Sequence, residues 1–187
     1  MSQREVVVWF LRHAETIWNQ EHRLAGWSDV PLTPRGKAQA QALREVLEHE
    51  PFDGVWSSDL SRAIDTVSAA SGRAPTPDAR LREIFFGALE GASWLDLDEE
   101  HRARLSAYDG FRAPDGESLQ EAAARLEAFL AELAPGRHLV CAHGGVLRHV
   151  TRMFGEDQFL PNCGLVGVKW RPERAHLFTR LPPKEPR

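Results

Sequence analysis

Val6-Val7-Val8-Trp9-Phe10-Leu11, followed at once by Arg12-His13-Ala14-Glu15-Thr16, is the stretch on which the fold turns. The first six residues are aliphatic or aromatic, and no polar residue alternates with them. An unbroken run of this kind reads as a strand buried on both faces, which needs helices above and below it. The residues that follow are polar and chemically able, as expected where a core strand ends at the rim of a sheet.

The flanking sequence repeats the arrangement. Thr33 is placed to cap a helix with Pro34 at its first position and Leu43, Val46 and Leu47 as its apolar stripe. Gly54-Val55-Trp56-Ser57 reads as a second strand, feeding a helix from about Asp59 to Ser71 that Gly72 stops. His138-Leu139-Val140-Cys141-Ala142 reads as a third, feeding a helix from Gly144 to Phe154. Residues 73–117 are less regular, with a helix expected from Ala92 to about Ala107. Ser118 and Glu121 then fit a capping box ahead of a helical stripe of Leu119, Ala122, Leu126, Phe129, Leu130 and Leu133. Strands near Val166–Trp170 and Ala175–Thr179 complete an antiparallel edge. The expectation is an α/β fold: a three-layer α/β/α sandwich with a mostly parallel central sheet and an antiparallel edge strand. It forms a single domain over residues 1–181, with 182–187 as a frayed tail and no repeat or low-complexity tract.

The 187 residues are 42% hydrophobic and 27% charged, enough to fill a core and solvate a surface. A net charge of -4 gives no general attraction for nucleic acid or anionic lipid, so an anion site has to be built locally. Two cysteines make no disulfide framework. Cys141 reads as a small buried hydrophobe, and Cys163 is left open. The apolar start is too short for a signal sequence or a membrane span, so a cytoplasmic location is expected. A homodimer through an edge strand or the segment Phe159–Val168 stays open.

In sheets of this type ligands bind at the carboxyl ends of the strands. Here those ends carry Arg12-His13, then Ser57-Ser58-Asp59-Leu60-Ser61-Arg62, then Ala142-His143-Gly144-Gly145. Each histidine taken alone has an ordinary structural reading; two histidines and two arginines at three strand ends do not.

These residues also carry a resemblance. Arg12-His13-Ala14-Glu15-Thr16 with Trp18-Asn19 is similar to the opening motif of the histidine phosphatase superfamily, the phosphoglycerate-mutase-like proteins. The likeness continues through Gly26-Trp27-Ser28-Asp29, Ser57 to Ala63, Leu81-Arg82-Glu83-Ile84-Phe85-Phe86-Gly87 with Glu90-Gly91, and Pro114-Asp115-Gly116-Glu117-Ser118. It ends with Ala142-His143-Gly144-Gly145 and Asn162-Cys163. The blocks keep the family's order across roughly residues 6–170. One departure is Ala14, where the family usually has glycine. The backbone there cannot need glycine, and a methyl beside the phosphate would narrow its pocket.

The resemblance implies roles. His13 is the nucleophile, neutral when it attacks, with its other ring nitrogen donating to a backbone carbonyl. Arg12 and Arg62 clamp the phosphoryl oxygens, Asn19 contacts them, and Gly144 adds an amide at a helix N-terminus. His143, as an imidazolium once phosphate is bound, stabilises the transition state. Glu83 is the general acid, then the base that activates water; its ordinary alternative is a surface ion pair with Arg80 or Arg82.

No cofactor is implied, and no His, Cys and carboxylate cluster has metal-ligand spacing. Glu15 and Asp29 read as loop-ordering acids, and Asp96, Asp98, Glu99 and Glu100 as a solvated helix face. His22, His49, His101 and His176 read as surface residues, with packing or solvent favoured for Arg148 and His149. Residues 88–117 are the expected lid. Trp94, Tyr108 and Phe111 could line a substrate pocket, with packing the expected job of at least two.

The family supports hydrolysis or mutase chemistry. Ala88 to Asp109 is compact, with Arg102 and Arg104 its only permanent cations, and His143-Gly144 is followed by Gly145, not by the asparagine common after His-Gly in mutases. Against the longer, more basic segment of the family's mutases, the resemblance thus implies a phosphatase acting on a small-molecule phosphomonoester over a cofactor-dependent phosphoglycerate mutase. A silent domain that only binds phosphorylated ligands or a partner would be expected to lack the nucleophile, a clamp or the acid, and all are present.

Overall fold

Strand β1 (Val6–Arg12) runs through the interior of a six-stranded sheet in a computed structural model that describes residues 5–170 and 176–181. After it come α1 (Ile17–Gln20), α2 (Pro34–Ala42), α3 (Arg44–Leu47), β2 (Gly54–Ser57), α4 (Ser61–Ser71) and β3 (Thr76–Pro77). Single 3₁₀ turns at Ala79–Leu81 and Gly87–Leu89 lead to α5 (Glu99–Ala107). The chain then forms α6 (Leu119–Ala131), β4 (Gly136–Ala142), α7 (Gly144–Met153), β5 (Leu165–Trp170) and β6 (His176–Leu181).

The strand order is β3-β2-β4-β1-β5-β6. β1, β2, β3 and β4 are mutually parallel, with Val6 opposite Gly136 and Arg12 opposite Ala142. β5 runs antiparallel to β1, and β6 closes that edge antiparallel to β5. Alternation along the strands divides the apolar residues between two layers. Val8, Phe10, Val140 and Ala142 pack with Leu126, Phe129 and Leu130 of α6 and Val146, Leu147 and Val150 of α7. Trp9, Leu11, Leu139 and Cys141 face the other way, onto Ala40, Leu43, Leu47, Ala63 and Val67. Both faces of β1 are covered, as its unbroken apolar run requires, and the fold is the expected three-layer sandwich. Truncating a fully buried anchor such as Phe10 to Ala would cost roughly 3–5 kcal/mol.

Local differences have local causes. The helix expected after Thr33 breaks at Leu43, whose N–H turns to Ala40 O in a tighter i to i−3 bond. α4 starts at Ser61 because Asp59 is held instead by Arg82, in a two-pronged pair at 2.7 and 2.6 Å. α5 starts at Glu99, not near Ala92. Asp98 caps it by accepting from His101 N at 2.8 Å, so the acidic run supplies a cap and first turn, where negative charge meets the helix's positive end. Ser118 and Glu121 form the capping box of α6, and Gly72 ends α4 with φ +69°. Ala175, the His176 side chain and the tail 182–187 expected to fray lie outside the described residues. Among the described residues no helix is long and apolar enough to cross a membrane.

Candidate active site

The carboxyl ends of β2, β4 and β1 lie side by side, which brings three separate stretches of sequence to one rim. The β1 ladder continues one step past the strand, with His13 N donating to Ala142 O at 3.0 Å. On the other side Arg12 N donates to Gly164 O, and Cys163 N to Arg12 O at 3.1 Å. Asn162 Nδ2 donates to His13 O at 3.0 Å and to Asn19 Oδ1 at 3.1 Å. The Arg12-His13 backbone is thus gripped from both flanks. Cys163, which the sequence left open, is buried in left-handed backbone (φ 58°), and burial pushes its thiol up to about 12.

His13 is buried, and its Nδ1 lies 2.7 Å from Ala14 O. A carbonyl can only accept, so Nδ1 carries the proton and Nε2 keeps its lone pair. Burial, then the charges of Arg62 and Arg12, hold its pKa well below the ordinary histidine value. The ring is therefore neutral and nucleophilic at neutral pH. Ala14 N donates to Thr66 Oγ1 at 2.9 Å, and the Ala14 methyl sits in the core layer with Ala63 and Val67. It does not line the cavity, which corrects the expectation that it would narrow the phosphate pocket.

Arg62 is fully buried. Its Nε donates to His143 Nδ1 at 3.2 Å, Nη1 to Ser28 O at 2.8 Å, and Nη2 to Ala25 O and Gly26 O at 3.2 and 2.7 Å. Only one of a guanidinium's five N–H groups is left over, so Arg62 is less an open clamp than the sequence suggested. The loop whose carbonyls it binds is held from its amide side by Glu90. That carboxylate accepts from Gly26 N at 3.2 Å, Trp27 N at 2.9 Å and Ser28 Oγ at 2.8 Å. Because Arg62 can only donate, His143 Nδ1 must accept, and His143 is neutral with its proton on Nε2. Burial and the Arg62 charge hold its pKa well below the ordinary value in the phosphate-free site. Its ring centroid is 5.1 Å from that of His13.

Arg12 Nη1 donates to Leu160 O at 2.6 Å, and its guanidinium lies 4.5 Å from the centre of the Phe159 ring. Burial lowers its pKa to about 10, which still leaves it charged at neutral pH. Two buried donors at this rim, Arg12 Nε and His143 Nε2, have no hydrogen-bond partner. Unpaired buried donors cost free energy, and an anion between them would remove that cost. Asn19 Oδ1 accepts from Thr16 N at 3.1 Å as well as from Asn162, so its Nδ2 donors remain for a ligand.

Glu83 is buried at the opposite wall and is not paired with Arg80 or Arg82, which bind Asp78 and Asp59. Its Oε2 accepts from Gly145 N at 2.8 Å, and its Oε1 from Ile84 N and Val146 N at 3.0 and 3.2 Å. Two of the first amides of α7 are therefore committed to Glu83, which leaves the Gly144 end for an anion. A Cβ on Gly145 would come 2.5 Å from Glu83 Oε1, and one on Gly144 would come 2.4 Å from the Phe159 ring. Close approach explains both glycines.

Arg12, His13, Asn19 and Glu83 line one cavity of about 360 Å³; Arg62 and His143 lie behind it. Its outer walls are largely apolar, from Leu24, Ile84, Phe86, Trp94, Leu105, Tyr108 and Phe159. Tyr108 and Phe111 pack in the core, as expected of two of the three aromatics of this segment, and Tyr108 Oη donates to Gly145 O at 2.9 Å. Arg148 ties the end of α5 to α7 by donating to Leu105 O and Ser106 O, at 3.1 and 2.8 Å, while paired with Asp157. Asp29 accepts from Ser61 and Glu15 from Thr33 and Arg35, both ordering loops as read. His22 and His49 are exposed. Sequence reasoning gave no role to Arg125 or Asn162; Arg125 stands on a helix outside every motif block and carries no local signal.

The sequence model of the histidine phosphatase superfamily (branch 1) matches residues 8–178. A 2,3-bisphosphoglycerate-dependent phosphoglycerate mutase 2 of Gloeobacter violaceus is 36% identical over 157 residues, covering 75% of this chain and 71% of that protein. The crystal structure of a phosphoglycerate mutase from Thermus thermophilus superposes with a TM-score of 0.85 at 43% identity, covering 94% of this chain and 98% of the other. An Escherichia coli K-12 protein with the provisional name alpha-ribazole-5'-P phosphatase superposes with a TM-score of 0.79 at 29% identity, over 94% and 95% of the two chains.

Proposed function

The chain belongs to the histidine phosphatase superfamily (branch 1), and from that premise we propose that it hydrolyses a small-molecule phosphomonoester through a phosphohistidine on His13, without a metal ion. The observation that carries this reading is the pair of unpartnered buried donors, Arg12 Nε and His143 Nε2, beside a histidine whose open nitrogen is Nε2. In the first half-reaction the Nε2 lone pair forms a bond to phosphorus while the bond to the ester oxygen breaks. Glu83, protonated, gives its proton to the departing alkoxide. In the second, the Glu83 carboxylate takes a proton from water, the water oxygen bonds to phosphorus, and the P–N electron pair returns to His13. Arg12, His143, Asn19, the Gly144 amide and the remaining N–H of Arg62 meet the phosphoryl oxygens throughout.

Hydrolysis is favoured by the outer cavity. A mutase holds a second phosphate and needs spare cations there. Arg148 is taken up by Asp157 and two carbonyls, and Arg23 by Gly91 O at 2.6 Å and Glu21. The relatives named as mutases support the second reading, a cofactor-dependent phosphoglycerate mutase. The deciding experiment is a panel of phosphomonoesters in excess EDTA, including 3-phosphoglycerate with and without 2,3-bisphosphoglycerate. Phosphate release from one or more esters is expected. Interconversion of phosphoglycerates without release would make the chain a mutase, and silence on both would leave a binding domain.

A further inference from the structure

Glu83 stands in a segment with no regular structure of its own to hold it: a 3₁₀ turn ends at Leu81, and no strand or α-helix follows until α5. Yet a general acid has to hold its carboxyl group to within fractions of an ångström of the leaving oxygen. The backbone of this segment is fixed from below by one side chain of α6. Arg125 Nη1 donates to Arg80 O at 2.8 Å and to Arg82 O at 2.5 Å, and Nη2 to Glu83 O at 2.7 Å. Its Nε and Nη2 also donate to the two carboxylate oxygens of Glu117, at 2.9 and 3.0 Å. All five guanidinium donors are used.

Glu117 completes the grip. Its Oε2 accepts from Phe85 N at 2.9 Å, and its own N–H donates to Phe85 O at 2.9 Å. The peptide on either side of Glu83 is thus bound at Arg80, Arg82, Glu83 and Phe85 by one ion pair. Both side chains of that pair are more than four-fifths buried, so solvent competes weakly for these bonds. Trp27 Nε1 donates to the same Glu83 carbonyl at 2.9 Å.

We propose that Arg125, locked by Glu117, is a positioning residue that sets the Glu83 carboxyl group for proton transfer. The proposal rests on the reading of Glu83 as the general acid. Arg125 does not line the cavity, so it acts through the backbone of residues 80–85 and not on the substrate. Lysine could bridge at most part of this array, because a single ammonium cannot reproduce a planar fork that serves three carbonyls and a carboxylate.

The test is the dependence of turnover on the leaving group, measured for the intact chain and for Arg125→Ala, Arg125→Lys, Glu117→Gln and Glu83→Gln. Arg125→Ala is expected to slow an alkyl phosphate by about tenfold to a hundredfold and p-nitrophenyl phosphate by no more than about threefold, because nitrophenolate leaves without help. KM should change little, and Arg125→Lys should recover part of the loss. Equal losses on both substrates, or none on either, would overturn the proposal. If Arg125→Ala does not fold, Glu117→Gln carries the test, since it breaks the ion pair while keeping an acceptor for Phe85 N. Glu83→Gln separates the two readings: selective loss there without it in the clamp variants sinks the clamp alone, and unselective loss there sinks both.

Discussion

Arg62 Nε lies 3.2 Å from His143 Nδ1, and the direction of that bond decides the chemistry of His143. A guanidinium has no lone pair to offer, so the imidazole is the acceptor and its proton sits on Nε2. The second histidine of the site is therefore a neutral donor by construction, and the arginine behind it supplies the field.

This arrangement predicts a pH profile. His13 and His143 both have pKa values held well below 6.5, by burial first and by Arg62 next. Both rings stay neutral as the solution is acidified through 6.5, so the acid limb that reports His13 should lie well below that of an ordinary histidine. Nitrogen NMR of the free protein should show His13 protonated on Nδ1 and His143 on Nε2; an imidazolium at either position near neutrality would be the contrary result. Stability follows the same sign. The unfolded chain binds these protons first, so the stability of the fold decreases as pH drops below 6.5. Calorimetry across that range checks it.

The two glycines after His143 should respond differently. In Gly145→Ala the new methyl meets the buried Glu83 carboxylate and Ile84 Cδ1 at 2.5 and 2.8 Å, and the carboxylate can yield only by giving up amide hydrogen bonds. A loss of about 1–3 kcal/mol in stability is expected, with a larger fall in turnover of alkyl than of nitrophenyl phosphates. In Gly144→Ala the methyl meets the ring of Phe159, which is 57% exposed and can swing into solvent, and comes within 3.2 Å of the buried Arg12 guanidinium carbon, which has to give by a few tenths of an ångström. The expected effect is weaker vanadate inhibition, as Arg12 loses its aromatic cover, with little change in Tm.

His13→Ala should fold and bind phosphate yet show no turnover. A denaturing quench at alkaline pH of the wild-type enzyme with substrate should trap an acid-labile, alkali-stable phosphoryl group that peptide mapping places on His13. A phosphoryl group on another residue would assign the nucleophile elsewhere.

Ala14→Gly should not improve catalysis. The methyl lies in the core layer, so its removal should lower stability by ~1 kcal/mol while kcat/KM stays within about twofold. A gain in phosphate affinity would mean that the methyl crowds the pocket after all.

What the sequence made legible follows from which signals are local. β1 carries an unbroken apolar run from Val6 to Leu11, β4 a shorter one from Leu139 to Ala142, and the Ser118–Glu121 box is a four-residue pattern, so these elements lie close to where periodicity and capping put them. Gathering Arg12, His13, Arg62 and His143 needed only the rule that ligands meet strand ends, together with the motif blocks. The hydrogen bonds that give each group its state were not readable. Arg62 reaches Ala25, Gly26 and Ser28 across more than thirty residues, and Arg125 reaches back more than forty to Glu83. The start of α5 was misplaced because Asp98 as a cap and Asp98 as a surface charge look alike until the chain turns.

The loop at residues 25–28 is a peptide segment with Glu90 on its amides and Arg62 on its carbonyls, and Arg62 in turn sets the tautomer of His143. Four distant parts of the chain must meet before any one of these bonds has its partner. The site thus depends on the whole fold and cannot survive as an island in a half-open molecule. In a denaturant titration the loss of activity should coincide with the loss of the sheet, which makes turnover itself a gauge of how much of the population is native.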